Sequence, residues 1–282
     1  MNLYDFNTVK KILSRHGFTF SKALGQNFLI NPDICPAMVQ SLKADAETGV
    51  IEVGAGVGVL TKELCAAAKK VVCVELDKRL LPVLQETLGE FANLEIINAD
   101  VMKTDLKKLI KENFADCKSV KICANLPYNI TSELITSLLE NELPIDDIVV
   151  MVQKEAGERL CAEVGTRQAG AVTVCVNYYA ESEILFPVMR NSFMPSPNVD
   201  SVVIRLTPRK KPLFEPSDKN KFFAVVKCAF LQRRKTALNS ISATMGISKE
   251  KLSSAFDSLG LDPAIRGEKL TMEDFRRLAE VI

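Results

Sequence analysis

Residues 50–61 read Val-Ile-Glu-Val-Gly-Ala-Gly-Val-Gly-Val-Leu-Thr, and this stretch decides the fold. It predicts a strand, a glycine-rich turn and the start of a helix. Glycines let a backbone turn tightly and approach a ligand closely. The pattern is G-x-G-x-G, with Val59 where the dinucleotide fingerprint has its last glycine, which disfavours NAD or FAD. A glycine loop alone is only suggestive of a ligand, so its neighbours must decide.

Further strand–helix units follow the glycine loop. Short β-branched runs alternate with longer amphipathic stretches as far as residue 153, which is typical of a mainly parallel sheet. The expected strands cover residues 50–53, 71–75, 94–98, 120–124 and 148–153. Two later runs, 171–180 and 201–206, are separated by a non-helical loop and should pair antiparallel at one edge. We therefore expect an α/β fold with a Rossmann-like, seven-stranded, mainly parallel sheet and an antiparallel edge.

Polar residues follow successive strands at regular spacing. Glu75 lies 21 residues after Gly54, Asp100 lies 25 residues after Glu75, and Asn125 lies another 25 residues on. Ligands of open α/β sheets bind at the carboxyl ends of the strands, so these residues should converge on one crevice. A carboxylate at Glu75 can take both hydroxyls of a ribose. The alternative is that each acidic residue only caps a turn, but that does not explain why they are in register.

Asn125-Leu126-Pro127-Tyr128 closes the fourth predicted strand. An amide oxygen at Asn125 and the Leu126 carbonyl can accept hydrogen bonds from an exocyclic NH2 group, and Tyr128 offers a stacking face. The tetrapeptide suits a flat base with an amine. Asn-x-Pro is also a common turn, so its position beside the predicted crevice carries the argument.

These features together resemble a class I S-adenosylmethionine-dependent methyltransferase. Asn125–Tyr128 is similar to the N-L-P-Y motif of rRNA adenine dimethyltransferases. The resemblance covers about residues 8–282 and is closest to the KsgA/RsmA family, which dimethylates two adjacent adenosines in the 3′-terminal hairpin loop of small-subunit (16S) rRNA. Other family-like motifs occupy residues 23–29, 153–155, 193–201, 230–236 and 266–270.

The resemblance implies roles for individual residues. Those expected to bind S-adenosylmethionine are Gln26, Asn27, Leu29, Gly54, Gly56, Glu75, Asp100 and Asn125. Asn125, Leu126 and Tyr128 would hold the target adenine. Phe193 would stack on the other face of the base, or else is a core aromatic beside a proline-rich turn; the sequence leaves both open. The implied partner is small-subunit rRNA within an immature 30S subunit.

The C-terminal third has a different composition. Residues 207–216 contain three prolines and a basic triplet, typical of a linker, and helical periodicity follows over 218–244, 248–259 and 271–281. Residues 201–282 carry a net charge of +7, and residues 1–200 carry −6. We expect a cofactor-binding catalytic domain with an N-terminal helical extension at 1–208, and a helical RNA-binding domain at 209–282. Arg233, Arg234 and Lys235 should spread around a helix, with at most two facing one RNA backbone.

Composition excludes several other classes. No run approaches the length of a membrane span, and Met1–Phe6 lacks the features of a signal peptide, so we expect a cytoplasmic protein. Eight scattered cysteines without a C-x-x-C favour buried thiols over disulfides or structural zinc, and we expect no metal. His16 is the only histidine, which disfavours a Ser-His-Asp or Cys-His mechanism. Nothing in the sequence requires more than a monomer.

Three alternatives remain beside this interpretation. An Erm-type methyltransferase of large-subunit (23S) rRNA shares the fold, the cofactor and the N-L-P-Y chemistry, although the motifs at 24–29, 193–201, 233–235 and 266–270 are closer to the KsgA/RsmA family. A non-catalytic nucleic-acid-binding assembly factor could use the same scaffold, but the intact Glu75, Asp100, Asn125 and Tyr128 argue against it. An NAD-dependent oxidoreductase is a distant third.

Overall fold

The computed structural model describes residues 1–19 and 27–282. In this part of the chain the helices are α1 (Phe6–Arg15), α2 (Ile34–Leu42), α3 (Val59–Ala67), α4 (Leu81–Leu88), α5 (Leu106–Asn113), α6 (Thr131–Glu140), α7 (Lys154–Leu160), α8 (Ala171–Tyr179), α9 (Lys219–Leu231), α10 (Ala237–Met245), α11 (Lys249–Leu259) and α12 (Met272–Val281). The strands are β1 (Phe28–Leu29), β2 (Thr48–Val53), β3 (Lys70–Glu75), β4 (Leu94–Asn98), β5 (Ser119–Asn125), β6 (Asp147–Gln153), β7 (Ala180–Val188), β8 (Phe193–Met194) and β9 (Ser201–Pro208). None of these helices is long and apolar enough to cross a membrane.

Seven strands form one sheet in the order β4-β3-β2-β5-β6-β9-β7. The pairs β2–β3, β2–β5, β3–β4 and β5–β6 are parallel, whereas β9 runs antiparallel to β6. All six residues of β2 are buried because helices cover both faces of a parallel sheet at its centre. The predicted seven-stranded, mainly parallel sheet with an antiparallel edge is confirmed. A separate two-stranded sheet pairs β1 with β8.

The prediction of a strand at 171–180 is wrong. Residues Ala171–Tyr179 form helix α8, and the edge strand β7 begins only at Ala180. The Thr173 hydroxyl accepts a hydrogen bond from the Gly170 amide at 2.9 Å and donates one to the Arg159 carbonyl at 2.6 Å. These bonds start a helix at Gly170, and tertiary contacts thereby override the strand propensity of a β-branched run.

The chain divides into two compact units. The first comprises residues 1–157 and 183–208, and the second comprises residues 158–182 and 209–282. The second unit therefore takes residues 158–182, including α8, which the sequence prediction placed in the catalytic domain. The reason is aromatic packing: Tyr179 stacks on Phe223 with ring centroids 5.7 Å apart, and Tyr178 lies 5.6 Å from Phe222. The functional division at residue 208 stays a prediction.

The long helix predicted over 218–244 is interrupted. α9 ends at Leu231 and α10 begins at Ala237, so Arg233–Lys235 lie in a turn and do not spread around a helix as expected. The Ser240 hydroxyl donates to the Cys228 carbonyl and accepts from the Gln232 amide at 3.2 Å. This buried serine satisfies backbone groups that the break would otherwise leave unpaired.

Candidate active site

The carboxyl ends of β2, β3 and β5 and the turn after β4 meet around one pocket in the first unit. Because these strands are parallel, the residues that follow them lie on the same edge of the sheet. Gly54, Gly56, Glu75, Asp100, Asn125, Leu126 and Tyr128 all line this pocket, as do Asn27 and Leu29. The structure thus brings together most of the residues singled out from the sequence. Their individual roles stay predictions.

The glycine loop between β2 and α3 contains backbone that other residues rarely adopt. Gly56 has φ of +59°, and a Cβ atom there would lie 3.2 Å from the Phe28 ring. Gly58 has φ of +89°, and its Cβ would lie 2.7 Å from the side chain of Leu88. Glycine at these positions therefore lets the loop pass close to its neighbours and leaves backbone exposed to a ligand.

Glu75 is held rigidly at the end of β3. One carboxylate oxygen accepts a hydrogen bond from the Gly56 amide at 3.1 Å, and the other accepts one from the Asp77 amide at 2.8 Å. Burial raises the pKa of Glu75, and the two backbone donors partly oppose that shift. Each carboxylate oxygen keeps further acceptor capacity, so the group can take two hydroxyls at once.

Asp100 caps a turn and keeps one oxygen available. Its Oδ1 accepts from the Met102 amide at 3.0 Å, at the start of a short 3-10 helix over Val101–Lys103. The capping role considered from the sequence is therefore real. Its Oδ2 lies 3.8 Å from the exposed Lys103 ammonium, a distance too long for a hydrogen bond. This oxygen is free to accept a proton donor such as the amine of a base.

The Asn125 amide is oriented by the segment before β1. Its Nδ2 lies 3.5 Å from the Asn27 carbonyl oxygen, which places the amide NH2 on that side and Oδ1 on the other. Within residues 1–19 and 27–282, no donor reaches Asn125 Oδ1 or the Leu126 carbonyl, although the Leu126 amide donates to the Met151 carbonyl at 3.0 Å. The turn therefore presents two unused acceptors at the pocket.

Tyr128 is tethered through its hydroxyl group. The phenol oxygen lies 3.1 Å from the hydroxyl of Ser201, a fully buried residue at the start of β9. Burial raises the pKa of Tyr128, so the ring stays neutral at physiological pH. One end of the ring is thereby fixed while the half-buried side chain still lines the pocket.

Phe193 does not line this pocket. Its side chain is 1% exposed and belongs to the hydrophobic core, and Phe193 pairs with Leu29 between β8 and β1. This burial favours the core alternative that the sequence left open. A stacking contact with a base would require the covering side chains to move, so that role stays a prediction.

The N-terminal motif at 23–29 is described only in its last residues. Asn27 and Leu29 line the pocket, and β1 positions them through its pairing with β8. Gln26, also predicted to bind the cofactor, lies outside the described residues.

Among the lining residues that sequence reasoning did not single out are Glu52, Phe28, Leu76 and Val101. Leu76 is 55% exposed at the mouth of the pocket, an unusual position for a large apolar side chain. The position of Leu76 directly after Glu75 could have predicted that it lines the pocket. Nothing in the sequence predicted this for Glu52, since an acidic residue inside a β-branched run resembles a polar residue on a solvent-exposed face.

Glu52 is a buried carboxyl group beneath the glycine loop. In the sheet it lies in register with Cys73 on one side and Cys123 on the other, and the Cys73 thiol lies 3.6 Å from its Oε2. Burial raises the pKa of Glu52 to about 8, with the neighbouring Glu75 contributing in the same direction. The protein therefore holds this group largely protonated near neutral pH.

The pocket contains no histidine, because His16 lies at the end of α1 with its Nε2 2.7 Å from Glu86. In the described ranges, no group of three or more histidine, cysteine or acidic residues is arranged to hold a metal ion. Arg233, Arg234 and Lys235 belong to the second unit, where all three are exposed.

Comparison with known proteins shows that the chain is similar to rRNA methyltransferases. The family model described as ribosomal RNA adenine dimethylase matches residues 17–282. Ribosomal RNA small subunit methyltransferase A of Geobacillus thermodenitrificans is 46% identical over 276 residues, covering 97% of this chain and 94% of that protein. The protein of the same name from Bacillus mycoides is 44% identical over 279 residues, covering 98% and 96%.

Two solved structures share the fold over most of the chain. A dimethyladenosine transferase from Plasmodium falciparum is 26% identical with a TM-score of 0.69, covering 89% of this chain and 95% of that one. The 23S rRNA methyltransferase ErmE is 25% identical with a TM-score of 0.65, covering 90% and 98%. The fold likeness therefore extends to a large-subunit enzyme, whereas the Geobacillus and Bacillus relatives carry the small-subunit name.

Proposed function

The chain belongs to the ribosomal RNA adenine dimethylase family, and from this premise we propose that its pocket dimethylates the N6 amines of two adjacent adenosines in the 3′-terminal hairpin loop of 16S rRNA. The methyl donor is S-adenosylmethionine. The observation that carries the proposal is the pair of unused acceptors, Asn125 Oδ1 and the Leu126 carbonyl, in the pocket that Glu75 and Asp100 also line. Two acceptors in one turn suit an NH2 group.

The residues present fit the cofactor. Glu75 offers two fixed carboxylate oxygens to a ribose, and Asp100 Oδ2 offers an acceptor to the adenine amine. The side chains of Leu76 and Val101 supply apolar surface for the adenine ring. When bound, S-adenosylmethionine supplies an electrophilic methyl group on a sulfonium.

The acceptors at Asn125 and Leu126 activate the target amine by orienting it. The lone pair of adenine N6 is delocalised into the ring, which makes the amine a poor nucleophile. Hydrogen bonds from its two N–H groups to Asn125 Oδ1 and the Leu126 carbonyl favour a pyramidal nitrogen whose lone pair faces the methyl group. Such alignment is worth up to about 7–11 kcal/mol. After the first transfer, the single remaining N–H still finds one of the two acceptors.

Tyr128 holds the base in place for this step. A stacked base cannot reach the pocket, so the adenosine must be extruded or lie in an open loop. Stacking on the Tyr128 ring contributes about 1–3 kcal/mol to holding it. The hydrogen bond to Ser201 fixes the hydroxyl end of the ring, which makes Ser201 a positioning residue.

The proton of the methylated amine can leave to water after transfer, so no tuned general base is required. The position of His16, away from the pocket and beside Glu86, fits this scheme. The enzyme works by positioning and electrostatic complementarity.

The basic second unit would hold RNA phosphates. Arg233, Arg234 and Lys235 are exposed and share one short turn, so all three can face the same backbone, in contrast to the helical arrangement expected from the sequence. We further propose that the protein acts as a monomer in the cytoplasm, where immature 30S subunits are its substrate.

Labelled S-adenosylmethionine tests the choice of substrate. Small subunits that lack the modification should incorporate label, whereas protein-free 23S rRNA should not. Label in 23S rRNA alone would identify an Erm-type activity. Absence of label in both, with RNA binding intact, would identify a non-catalytic binding factor.

A further inference from the structure

The loop between β7 and β9, residues 189–200, forms a surface beside Tyr128 and therefore beside the pocket that is proposed to bind the target adenosine. At its C-terminal end, Ser201 contacts the Tyr128 hydroxyl at 3.1 Å. The preceding residue, Asp200, accepts a hydrogen bond from the Arg190 amide at 2.9 Å through its side chain and one from the Lys154 amide at 3.0 Å through its carbonyl. Arg190, Lys154 and Asp200 therefore lie together, one residue from the contact with Tyr128.

Two large apolar side chains are exposed at this point. Met189 is 56% exposed and Val199 is 45% exposed, and each precedes one partner of the Arg190–Asp200 hydrogen bond. Because the bond joins their chain neighbours, the backbones at Met189 and Val199 lie near each other. We define Met189, Val199, Arg190 and Lys154 as the entrance surface.

The charges of the entrance surface complement an anionic partner. Arg190 and Lys154 are both exposed, and neither has an ion-pair partner among residues 1–19 and 27–282. Unpaired cations beside exposed aliphatic side chains suit single-stranded nucleic acid, which presents phosphates and the faces of unstacked bases. Methionine adapts well to such flat surfaces because its side chain is flexible and polarizable.

We infer that the entrance surface binds the nucleotide adjacent to the target adenosine, with its base against Met189 and Val199 and its phosphates near Arg190 and Lys154. This inference rests on the proposed function. An adenosine held at Tyr128 is covalently joined to its neighbours, so a neighbouring nucleotide must lie close to the pocket. Since the substrate contains two adjacent adenosines, the same surface would hold one while the other reacts.

The apolar half of the surface is tested with the double variant Met189→Ser/Val199→Ser. The matched control is Ile184→Ser, which removes an aliphatic side chain with the same 45% exposure as Val199, on β7. Binding of a fluorescent RNA hairpin with two adjacent loop adenosines and the ratio of label at the two adenosines in small subunits are both measured. We expect about three- to tenfold weaker hairpin binding and a shifted ratio for the double variant, with neither change in the control.

The cationic half is tested with Arg190→Gln/Lys154→Gln, and Lys107→Gln on α5 is the control. The slope of log affinity against log salt should fall by about 0.7–0.9 for each phosphate that the variant no longer neutralises. Unchanged S-adenosylmethionine affinity and melting temperature show that each variant is folded.

Hairpin binding equal to that of the controls would overturn the inference. A loss of subunit methylation with unchanged hairpin binding would also overturn it, because the surface would then contact a ribosomal protein. If the wild-type chain bound the hairpin through this surface but transferred no methyl group, the proposed function would fail, and only the assignment of the surface to RNA binding would stand.

Discussion

Replacing Glu75 with glutamine should weaken S-adenosylmethionine binding by about 10- to 150-fold. The carboxylate accepts hydrogen bonds from the Gly56 and Asp77 amides at 3.1 and 2.8 Å and is expected to accept two ribose hydroxyls as well. Glutamine has one carbonyl oxygen and one NH2 group in place of the two carboxylate oxygens. The NH2 group cannot accept a hydrogen bond, so it loses the bond from a backbone amide and the bond from a ribose hydroxyl on its side. Losing one charge-assisted hydrogen bond costs about 1.5–3 kcal/mol, which corresponds to the stated factor.

Isothermal titration calorimetry measures this loss directly. Glu90→Gln is the matched control, since Glu90 is exposed after α4 and does not line the pocket. The melting temperature of the variant without cofactor shows whether the glycine loop is still in place. An affinity within threefold of wild type in a folded Glu75→Gln protein would refute the assignment of Glu75 to the cofactor.

Four further predictions concern the reaction, the pocket and the RNA. Asn125→Ala should abolish methyl transfer while RNA affinity, measured by filter binding, stays within twofold; near-normal turnover would contradict its role. Ser201→Ala should lower kcat by about two- to tenfold, since a hydrogen bond to Tyr128 of about 0.5–1.5 kcal/mol is lost; an unchanged kcat would refute its positioning role. Glu52 has a pKa raised to about 8, so it keeps its proton in the folded state while the unfolded state releases it above about pH 4.5. Between these values the free energy of unfolding should therefore fall by about 1.4 kcal/mol for each unit by which the pH rises. Chemical denaturation at pH 5 to 8 should show a weaker pH dependence of stability in Glu52→Gln, and an identical slope would contradict the assignment. Changing Arg233–Lys235 to glutamine should reduce the salt slope of RNA binding by about 0.7–0.9 for each phosphate left without a cation; an unchanged slope would make the turn an ordinary solvated surface.

The cofactor edge of the sheet could be predicted because parallel strands repeat at a fixed length. Glu75, Asp100 and Asn125 are each separated by one crossover and one strand. Because the strands are parallel, residues that end successive strands lie at the same edge of the sheet. The sequence could not predict which side chains form hydrogen bonds with each other. The tether from Tyr128 to Ser201 joins residues 73 positions apart, and only the antiparallel placement of β9 beside β6 brings them together.

The two wrong secondary-structure predictions have causes that the secondary-structure propensity of the residues does not include. Residues Ala171–Tyr179 form a helix because Thr173 bonds to Gly170 and to Arg159. The turn at Arg233–Lys235 exists because buried Ser240, which follows it, satisfies the Cys228 carbonyl and the Gln232 amide at the end of α9. Each depends on a polar side chain with a partner at least 12 residues away, Arg159 for Thr173 and Cys228 for Ser240.

Mass spectrometry of 16S rRNA fragments tests the central claim most directly. Small subunits lacking the modification are incubated with S-adenosylmethionine and either the wild-type protein or Asn125→Ala, and the 3′-terminal hairpin is excised. The account predicts N6,N6-dimethyladenosine at both adjacent loop adenosines with the wild-type protein and unmodified adenosine with the variant. Unmodified loop adenosines after reaction with the wild-type protein, or equal methylation by both proteins, would contradict it.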